Sequence, residues 1–261
     1  MIAIDLHGRI ALVTGASGGL GQAIAQNLAH AGATVAAHYH NGRPDAEALI
    51  ARITQGGGRG QSFAADISDT ESAAALIASV ETALGGIDIL INNAGADGTR
   101  ATVGHDDTRA WEKVIGIDLL GPYYCARAVV GGMKERGRGV IINITSVHEF
   151  IPWSGYSAYT AAKAGLSMFT KTLAQETAAS GIRVLAVAPG AIQTAINKEV
   201  WSQPQSLADL DQKIAMARLG QPTEIGQVIA FLASDLASYM TGTTIAVDGG
   251  MLIYPGFREG G

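Results

Sequence analysis

Short apolar runs alternate with longer amphipathic stretches along the 261 residues of the chain. The short runs are apolar at successive positions, as in parallel strands covered on both faces. The predicted strands are Ile10–Val13, Thr34–His38, Gln61–Ala65, Asp88–Ile91, Gly139–Thr145, Ile182–Ala188 and Thr243–Val247. The predicted helices are Leu20–Ala31, Asp45–Thr54, Thr70–Leu84, Asp107–Lys134, Ala158–Ala179 and Thr223–Leu232.

This alternation predicts an α/β protein with a single doubly wound Rossmann fold. Repeated strand–helix–strand units build a mostly parallel sheet, here of seven predicted strands, with helices on both faces. No Pro/Ser-rich linker divides residues 1–261, so one domain is expected. The polar segment Asn197–Met216 follows the sixth strand, where ligands bind in such folds. We expect residues 197–216 to form a substrate lid, the alternative being a plain surface insertion.

Composition excludes several classes of protein. Hydrophobic residues make up 48% of the chain and the net charge is -5, without the clustered basic face that nucleic-acid binding needs. Cys125 is the only cysteine, so no intramolecular disulfide can form and a reducing compartment is expected. No apolar run approaches the ~20 residues of a membrane span, and the N-terminus lacks a basic leader. We therefore expect a cytoplasmic protein with no membrane partner.

The first predicted strand runs directly into a glycine-rich turn, TGASGGLG, which an amphipathic helix follows. Gly15, Gly19 and Gly21 permit a tight turn that offers free N–H groups and a helix N-terminus to a pyrophosphate. Asp66 closes the third strand, where its carboxylate can accept from an adenine amino group, and the tetrad NNAG closes the fourth. Such turns at successive strand ends predict a nucleotide crevice.

The stretch YSAYTAAKAG, from Tyr156 to Gly165, places Tyr159 and Lys163 four residues apart on one helix face. Most isolated pairs of this kind are half-buried packing with the lysine reaching solvent. A cation ~4 Å from a phenol, however, stabilises the phenolate by up to about 4 kcal/mol, or about three pKa units. We expect Lys163 to lower the pKa of Tyr159. Tyr156 shares this face, either lining a substrate site or packing.

Four motifs together resemble the short-chain dehydrogenase/reductase family: TGASGGLG, NNAG, a serine thirteen residues before YTAAK, and PG after the sixth strand. The chain is similar to bacterial glucose 1-dehydrogenases in TSVHEFIPW, PGAIQTAIN and DGGMLIYPGF. The resemblance implies hydride transfer between a nicotinamide and a secondary alcohol or carbonyl, with a sugar or polyol expected as substrate. It also implies a homotetramer, with Met251–Phe257 at a subunit contact.

The resemblance implies catalytic roles for Ser146, Tyr159 and Lys163, with Asp118 at a fourth catalytic position. For the cofactor it implies Gly15, Ser17, Gly19, Leu20, Gly21, His40, Asp66, Ile67, Asn93, Ala94, Gly95, Tyr159, Lys163, Pro189, Gly190, Ile192 and Thr194. For the substrate we expect His148, Glu149, Trp153, Asp97 and Asn197, with Ile192 beside them. Trp153 is expected to offer a face to a sugar ring or a ketone. The six histidines show no metal-ligand spacing, so no metal is expected.

Asp118 departs from the family pattern, which usually has asparagine at this position. An aspartate keeps an acceptor but loses the amide donor, and its charge raises the pKa of a nearby phenol. We expect Asp118, partly protonated or paired with Lys163, to lower activity relative to asparagine. Pro122 follows shortly and is expected to alter the same helix.

The cofactor is expected to be NADP or NAD, with NADP favoured. Members that prefer NAD end the second strand with an acidic residue, whereas His38 to Pro44 contains neither Asp nor Glu. His40 and Arg43 are candidates for binding a 2′-phosphate, while Gly18 stands where NADP enzymes often carry a basic residue. The alternative is that Arg43 is a solvated loop charge.

Other functions stay open at this point. A 3-oxoacyl-carrier-protein ketoreductase or general carbonyl reductase is the first alternative, although a carrier-protein enzyme is expected to need a basic patch beside its site. A non-catalytic cofactor-sensing protein is a remote alternative, because such a protein is expected to have lost Ser146, Tyr159 or Lys163, and all three are present.

Overall fold

A computed structural model of the chain describes residues 3–195 and 198–253. Its strands are β1 (Ile10–Val13), β2 (Thr34–Tyr39), β3 (Arg59–Ala64), β4 (Ile89–Asn92), β5 (Gly139–Ile144), β6 (Ile182–Pro189) and β7 (Thr244–Val247). Its α-helices are α1 (Gly19–His30), α2 (Arg43–Gln55), α3 (Thr70–Leu84), α4 (Thr108–Ile115), α5 (Gly121–Arg136), α6 (Ser157–Thr177), α7 (Lys198–Trp201), α8 (Pro204–Asp211) and α9 (Pro222–Ala233).

The seven strands form one parallel sheet in the order β3-β2-β1-β4-β5-β6-β7. The predicted fold class is confirmed. Chain order reverses between β1 and β4, so their carboxyl ends open a crevice where doubly wound sheets bind ligands. Two hydrophobic cores cover the two faces: α1, α2 and α9 contribute to one, and α3, α5 and the end of α6 contribute to the other.

The predicted fourth helix is continuous from Thr108 to Arg136, but it is not α-helical throughout. Residues Gly116–Leu120 form a π-helical turn, closed by a hydrogen bond from the N–H of Gly121 to the carbonyl of Gly116. By length and composition alone this helix could cross a bilayer. Cys125, Ala126 and Val129 on its inner face are fully buried in the core, which accounts for its apolar composition.

The segment after β6 is helical rather than irregular. It carries α7 and α8, and the indole Nε1 of Trp201 donates to the carbonyl of Thr194 at 2.9 Å. Asn197, a predicted substrate residue, lies outside the described residues, as does most of the predicted contact Met251–Phe257. The lid therefore stays a prediction. The helices α7 and α8 follow β6 along the chain.

Candidate active site

Lys163 is the centre of the site. It lies one turn after Tyr159 on α6, and its side chain points inward, leaving the residue 4% exposed. Its Nζ donates to the carbonyl of Ile144, at the end of β5, at 3.0 Å and lies 3.1 Å from Oδ2 of Asp118. The lysine does not reach solvent, which excludes the packing alternative considered from the sequence.

The Lys163 ammonium lies beneath the Tyr159 ring, 5.5 Å from the ring centroid. Ser146 directly follows the end of β5; it is buried and makes a side-chain hydrogen bond with Tyr159. The Ser146 hydroxyl also accepts from the N–H of His148 at 3.2 Å. The structure thus brings together the three side chains that the sequence singled out, from β5 and α6.

The expected fall in the pKa of Tyr159 is wrong for the protein without cofactor. Burial raises the pKa of the phenol above its ordinary value. Lys163 and the hydrogen bond with Ser146 lower that pKa, but less than burial raises it. Asp97 and Asp118 add to the rise, as expected for negative charges near a phenol. The prediction from the sequence set Lys163 against Asp118 but did not weigh burial or Asp97.

The π-helical turn positions Asp118. This residue is 0% exposed, its Oδ1 accepts from the N–H of Ala96 at 2.8 Å, and its Oδ2 pairs with Lys163. Burial raises the pKa of the Asp118 carboxyl, and Lys163 opposes that rise. Burial lowers the pKa of Lys163, but Asp118 and then Tyr159 raise it above its ordinary value. The pairing predicted for Asp118 and Lys163 is therefore present in the structure.

Asp97 is a second carboxyl near this pair. Burial raises its pKa, and the charge of Asp118 raises it further, whereas Lys163 and His148 lower it. The pKa of His148 is lowered by burial, and its Nδ1 lies 3.2 Å from the carbonyl of Ile151. Asp97 and His148 are thus polar groups close to each other and to Tyr159.

Trp153 lies in a stack of three aromatic rings. His148 stacks on it at 4.5 Å between centroids with 11° between planes, and Tyr156 stacks at 3.9 Å with 26°. Two rings so close to one centroid would overlap on a single face, so they cover opposite faces of the indole. Trp153 and His148 both meet Tyr159 edge to face. Trp153 nevertheless keeps 37% of its surface exposed, so the expectation that it meets substrate stays a prediction, while Tyr156 packs on the indole.

Glu149 does not line the space around Tyr159, contrary to the prediction. Its Oε1 accepts from the hydroxyl of Ser167 at 2.8 Å. Ser167 lies two turns beyond Tyr159 along α6, about 12 Å farther down the helix at 1.5 Å per residue. The carboxylate thus connects the short 3₁₀ turn Val147–Glu149 to the lower part of α6.

The glycine turn fits a dinucleotide phosphate. Gly15 has φ of +64°, and Gly18, at the N-cap of α1, makes no side-chain capping bond. A Cβ built on Gly18 would have its nearest neighbour at 3.5 Å and one on Gly19 at 3.8 Å, so the turn is open above the helix N-terminus. Open N–H groups at a helix N-terminus bind anions.

Two further side chains fix this turn. The hydroxyl of Thr14 accepts from the N–H groups of Asn93 and Ala94 at 2.9 and 3.0 Å, and the amide of Asn93 donates to the carbonyl of Thr14 at 2.8 Å. His38, on β2, accepts from the N–H of Gly15 at 3.1 Å. Sequence reasoning missed Thr14 and His38, although a histidine in the apolar run TVAAHY was a visible signal.

The far side of the turn carries the candidate groups for adenosine and a 2′-phosphate. Oδ1 of Asp66 accepts from the N–H and hydroxyl of Ser68 at 2.9 and 2.6 Å, and these bonds lower the carboxyl pKa. Arg43 donates to Glu47 at 2.8 Å on the exposed start of α2. Asp66 stays available for adenine through Oδ2, and Arg43 pairs with Glu47 through Nε, so that its terminal nitrogens can still meet a phosphate.

The remaining predicted cofactor residues lie along the same crevice. Ser17 and Leu20 flank the start of α1, His40 follows β2, Ile67 follows β3, Gly95 follows β4, and Pro189, Gly190, Ile192 and Thr194 lie at or after the end of β6. A Cβ on Gly95 would lie 3.0 Å from Oδ2 of Asp118, so the backbone there approaches the catalytic pair closely. Within residues 3–195 and 198–253, no cluster of three or more acidic, His or Cys side chains suits a metal.

Comparison with known proteins decides the family. A family model described as Enoyl-(Acyl carrier protein) reductase matches residues 15–252. A 3beta-hydroxysteroid dehydrogenase 1 from Eggerthella lenta is 42% identical over 98% of this chain and 98% of its own. The chain belongs to the short-chain dehydrogenase/reductase family.

Two other short-chain dehydrogenases/reductases illustrate the range of relatives. Glucose 1-dehydrogenase 2 from Bacillus subtilis is 37% identical over 98% of this chain and 99% of its own. The crystal structure of a gluconate 5-dehydrogenase from Burkholderia cenocepacia, in complex with NADP and tartrate, superposes with a TM-score of 0.91 at 32% identity, covering 96% of this chain and 97% of that one. Membership makes this protein an NAD(P)-dependent oxidoreductase that acts on CH–OH groups.

Proposed function

We propose that the protein interconverts a secondary alcohol carried on an apolar ring system and the corresponding ketone, using NADP(H) in preference to NAD(H). The observation that carries the proposal is the arrangement around Tyr159. The buried Ser146 and Lys163 and the half-buried Tyr159 face a wall formed by the three stacked rings of His148, Trp153 and Tyr156.

Each catalytic side chain has a separate task. In the oxidation direction the Tyr159 phenolate takes the hydroxyl proton of the alcohol, and the Ser146 hydroxyl donates a hydrogen bond to the same oxygen. Lys163 stabilises the phenolate from below. The nicotinamide, when bound, exchanges the hydride with the carbinol carbon and, when oxidised, adds a positive charge beside the phenol.

The aromatic wall favours an apolar ring over a sugar as first candidate. Because His148 and Tyr156 stack on Trp153, a substrate that reaches the exposed part of the indole meets aromatic surface. Glu149, one of the expected polar contacts, is held by Ser167. The relative from Eggerthella lenta, named for a 3beta-hydroxysteroid, agrees in substrate class with such a wall.

A sugar or polyol is the second candidate, in line with the resemblance to glucose 1-dehydrogenases. Asp97 favours it, because a carboxylate beside the reacting carbon can accept hydrogen bonds from neighbouring hydroxyls. The relative from Bacillus subtilis, a glucose 1-dehydrogenase, points the same way.

Steady-state kinetics with a set of four substrates test the proposal. We expect kcat/KM for a planar 3β-hydroxysteroid with NADP to exceed that for D-glucose and gluconate with NADP, and that for a 3-oxoacyl thioester with NADPH, by about tenfold or more, the scale on which apolar pockets discriminate. Asp97→Asn should leave steroid turnover within about threefold, because an apolar ring carries no second hydroxyl for Asp97. Higher turnover of glucose, lost in Asp97→Asn, would support the second candidate instead.

We further propose a cytoplasmic homotetramer with a lid over the site. Exposed apolar side chains on α5 and α6, Tyr123 and Met168, support an apolar subunit contact. Burial raises the pKa of the Cys125 thiol to about 12, so this residue stays reduced and unreactive. The lid proposal rests on α7 and α8. Light scattering tests the tetramer, and we expect Met168→Glu to weaken it relative to wild type.

A further inference from the structure

His38 makes contacts with two separate loops of the nucleotide crevice. It lies on β2, 2% exposed, paired with Phe63 of β3. Its Nδ1 accepts from the N–H of Gly15, in the glycine turn after β1, at 3.1 Å. Its Nε2 lies 3.1 Å from the carbonyl of Ala65, in the loop after β3. One buried ring therefore joins the turn beneath the pyrophosphate to the loop that carries Asp66.

These two partners determine the protonation of the ring. Gly15 can only donate, so Nδ1 must carry a lone pair, and the carbonyl of Ala65 can only accept, so Nε2 must carry the hydrogen. The neutral Nε2–H tautomer is the only form that satisfies both bonds. A doubly protonated His38 would direct its Nδ1–H at the N–H of Gly15 and lose that bond.

We propose that neutral His38 is a positioning residue for the cofactor, holding Gly15 in the orientation that opens the glycine turn to the phosphates. This rests on the proposed use of the turn by the cofactor. The carbonyl of Gly15 accepts from the N–H of Gly18 and the amide of Asn93, both at 3.2 Å. Gly15 is thus held through the peptides on both of its sides, and its carbonyl holds the N–H of Gly18, the N-cap of α1.

The same contacts make the turn sensitive to acid. The pKa of His38 is lowered, mainly by burial and also by the charge of His40. The Ala65 carbonyl and Asp66 raise this pKa, but by less. The turn after β1 has no ionisable side chain. A histidine in the unfolded chain has a pKa of about 6.5, and the bond to Gly15 is fully present above that pH. The bond is lost as the pH falls through the lowered pKa that His38 has in the folded protein.

A matched pair of substitutions separates the two bonds. The shorter side chain in His38→Asn would place an amide oxygen where Nδ1 lies, so this variant keeps an acceptor for Gly15 and loses the contact with Ala65. His38→Gln reaches Ala65 but removes the acceptor. By fluorescence titration with NADPH and with NADH, we expect the Kd to rise about tenfold in His38→Gln and to stay within about threefold in His38→Asn, since a buried donor left unpaired is costly.

A pH series on the same samples supplies the second readout. Between pH 7.5 and the lowest pH at which both proteins stay folded, the Kd for NADH of wild type should rise more than that of His38→Asn. NADH lacks the 2′-phosphate, so titration of that group does not contribute, and any rise shared by both proteins belongs to other groups. Direct binding keeps the test independent of which substrate the enzyme turns over.

Three results would overturn the proposal. One is an unchanged Kd in a folded His38→Gln variant, and another is an equal loss of affinity in both variants. The third is the same pH dependence in wild type and His38→Asn, which decides the matter even if His38→Gln does not fold.

Discussion

The two halves of the crevice hold their polar groups in different ways. At the glycine turn, neutral groups satisfy one another: Thr14, His38 and Asn93 bond to backbone, and none of them carries a charge. At the other end, Lys163 and Asp118 form a buried ion pair beside the half-buried phenol of Tyr159. The first half determines the shape of a binding surface, and the second determines the pKa values of the groups that exchange protons. Substitutions in the first half should change affinity, and those in the second should change rate and its pH dependence.

Removing the phenol should give the largest effect. Tyr159→Phe keeps the ring against Trp153 and His148 but removes the group that exchanges the proton. We expect kcat to fall by about 10³-fold, within the range for general acid–base catalysis, and the Kd for NADPH to stay within about threefold. A loss of cofactor affinity as large as the loss of rate would contradict the separation of the two halves.

Filling the turn should give the next largest effect, on affinity. A Cβ on Gly21 would overlap the carbonyl of Gly15 and lie 2.8 Å from the amide nitrogen of Asn93. We expect Gly21→Ala to raise the Kd for NADPH by about 30-fold or more, because the turn must shift to make room.

Gly131, exposed on α5, provides the control, since a Cβ there meets nothing within 4 Å. Gly131→Ala should leave the Kd unchanged and increase the free energy of unfolding by about 0.5–1 kcal/mol. Equal affinities in the two variants would show that the turn does not shape the cofactor site.

The smallest effect is expected from a carboxylate that faces away from the substrate. Because Glu149 bonds to Ser167, Glu149→Gln should leave the KM for substrate within about twofold and keep an acceptor for the serine hydroxyl. Trp153→Ala, which removes the middle of the aromatic stack, serves as the comparison and should raise that KM. If Glu149→Gln raises KM as much as Trp153→Ala does, Glu149 contacts the substrate and this prediction is wrong.

The sheet could be predicted from the sequence because most strands are largely apolar, and the predicted bounds fall within two residues of the observed strands even for the more polar β3, RGQSFA. The Tyr159–Lys163 pair could be predicted because helical spacing alone puts them on one face.

Other features depend on contacts that spacing does not encode. The π-helical turn at Asp118 has no pattern in GIDLL that distinguishes it from an α-helix. The faces of Trp153 are covered by His148 and Tyr156, five residues before it and three after, through a loop whose path the sequence did not reveal. The net rise in the pKa of Tyr159 follows from burial, which the prediction from the sequence did not weigh against Lys163.

The central claim is that the Lys163–Asp118 pair adjusts the proton affinity that burial gives Tyr159, and the pH dependence of alcohol oxidation tests it most directly. Oxidation needs the phenolate, so kcat rises with pH through the pKa of Tyr159, and the charge of Asp118 raises that pKa. In Asp118→Asn the amide oxygen can still accept from Ala96, but the charge is gone. We predict that the rise in kcat moves to lower pH and that kcat at neutral pH increases. A profile that superposes on wild type, or moves to higher pH, would contradict the account.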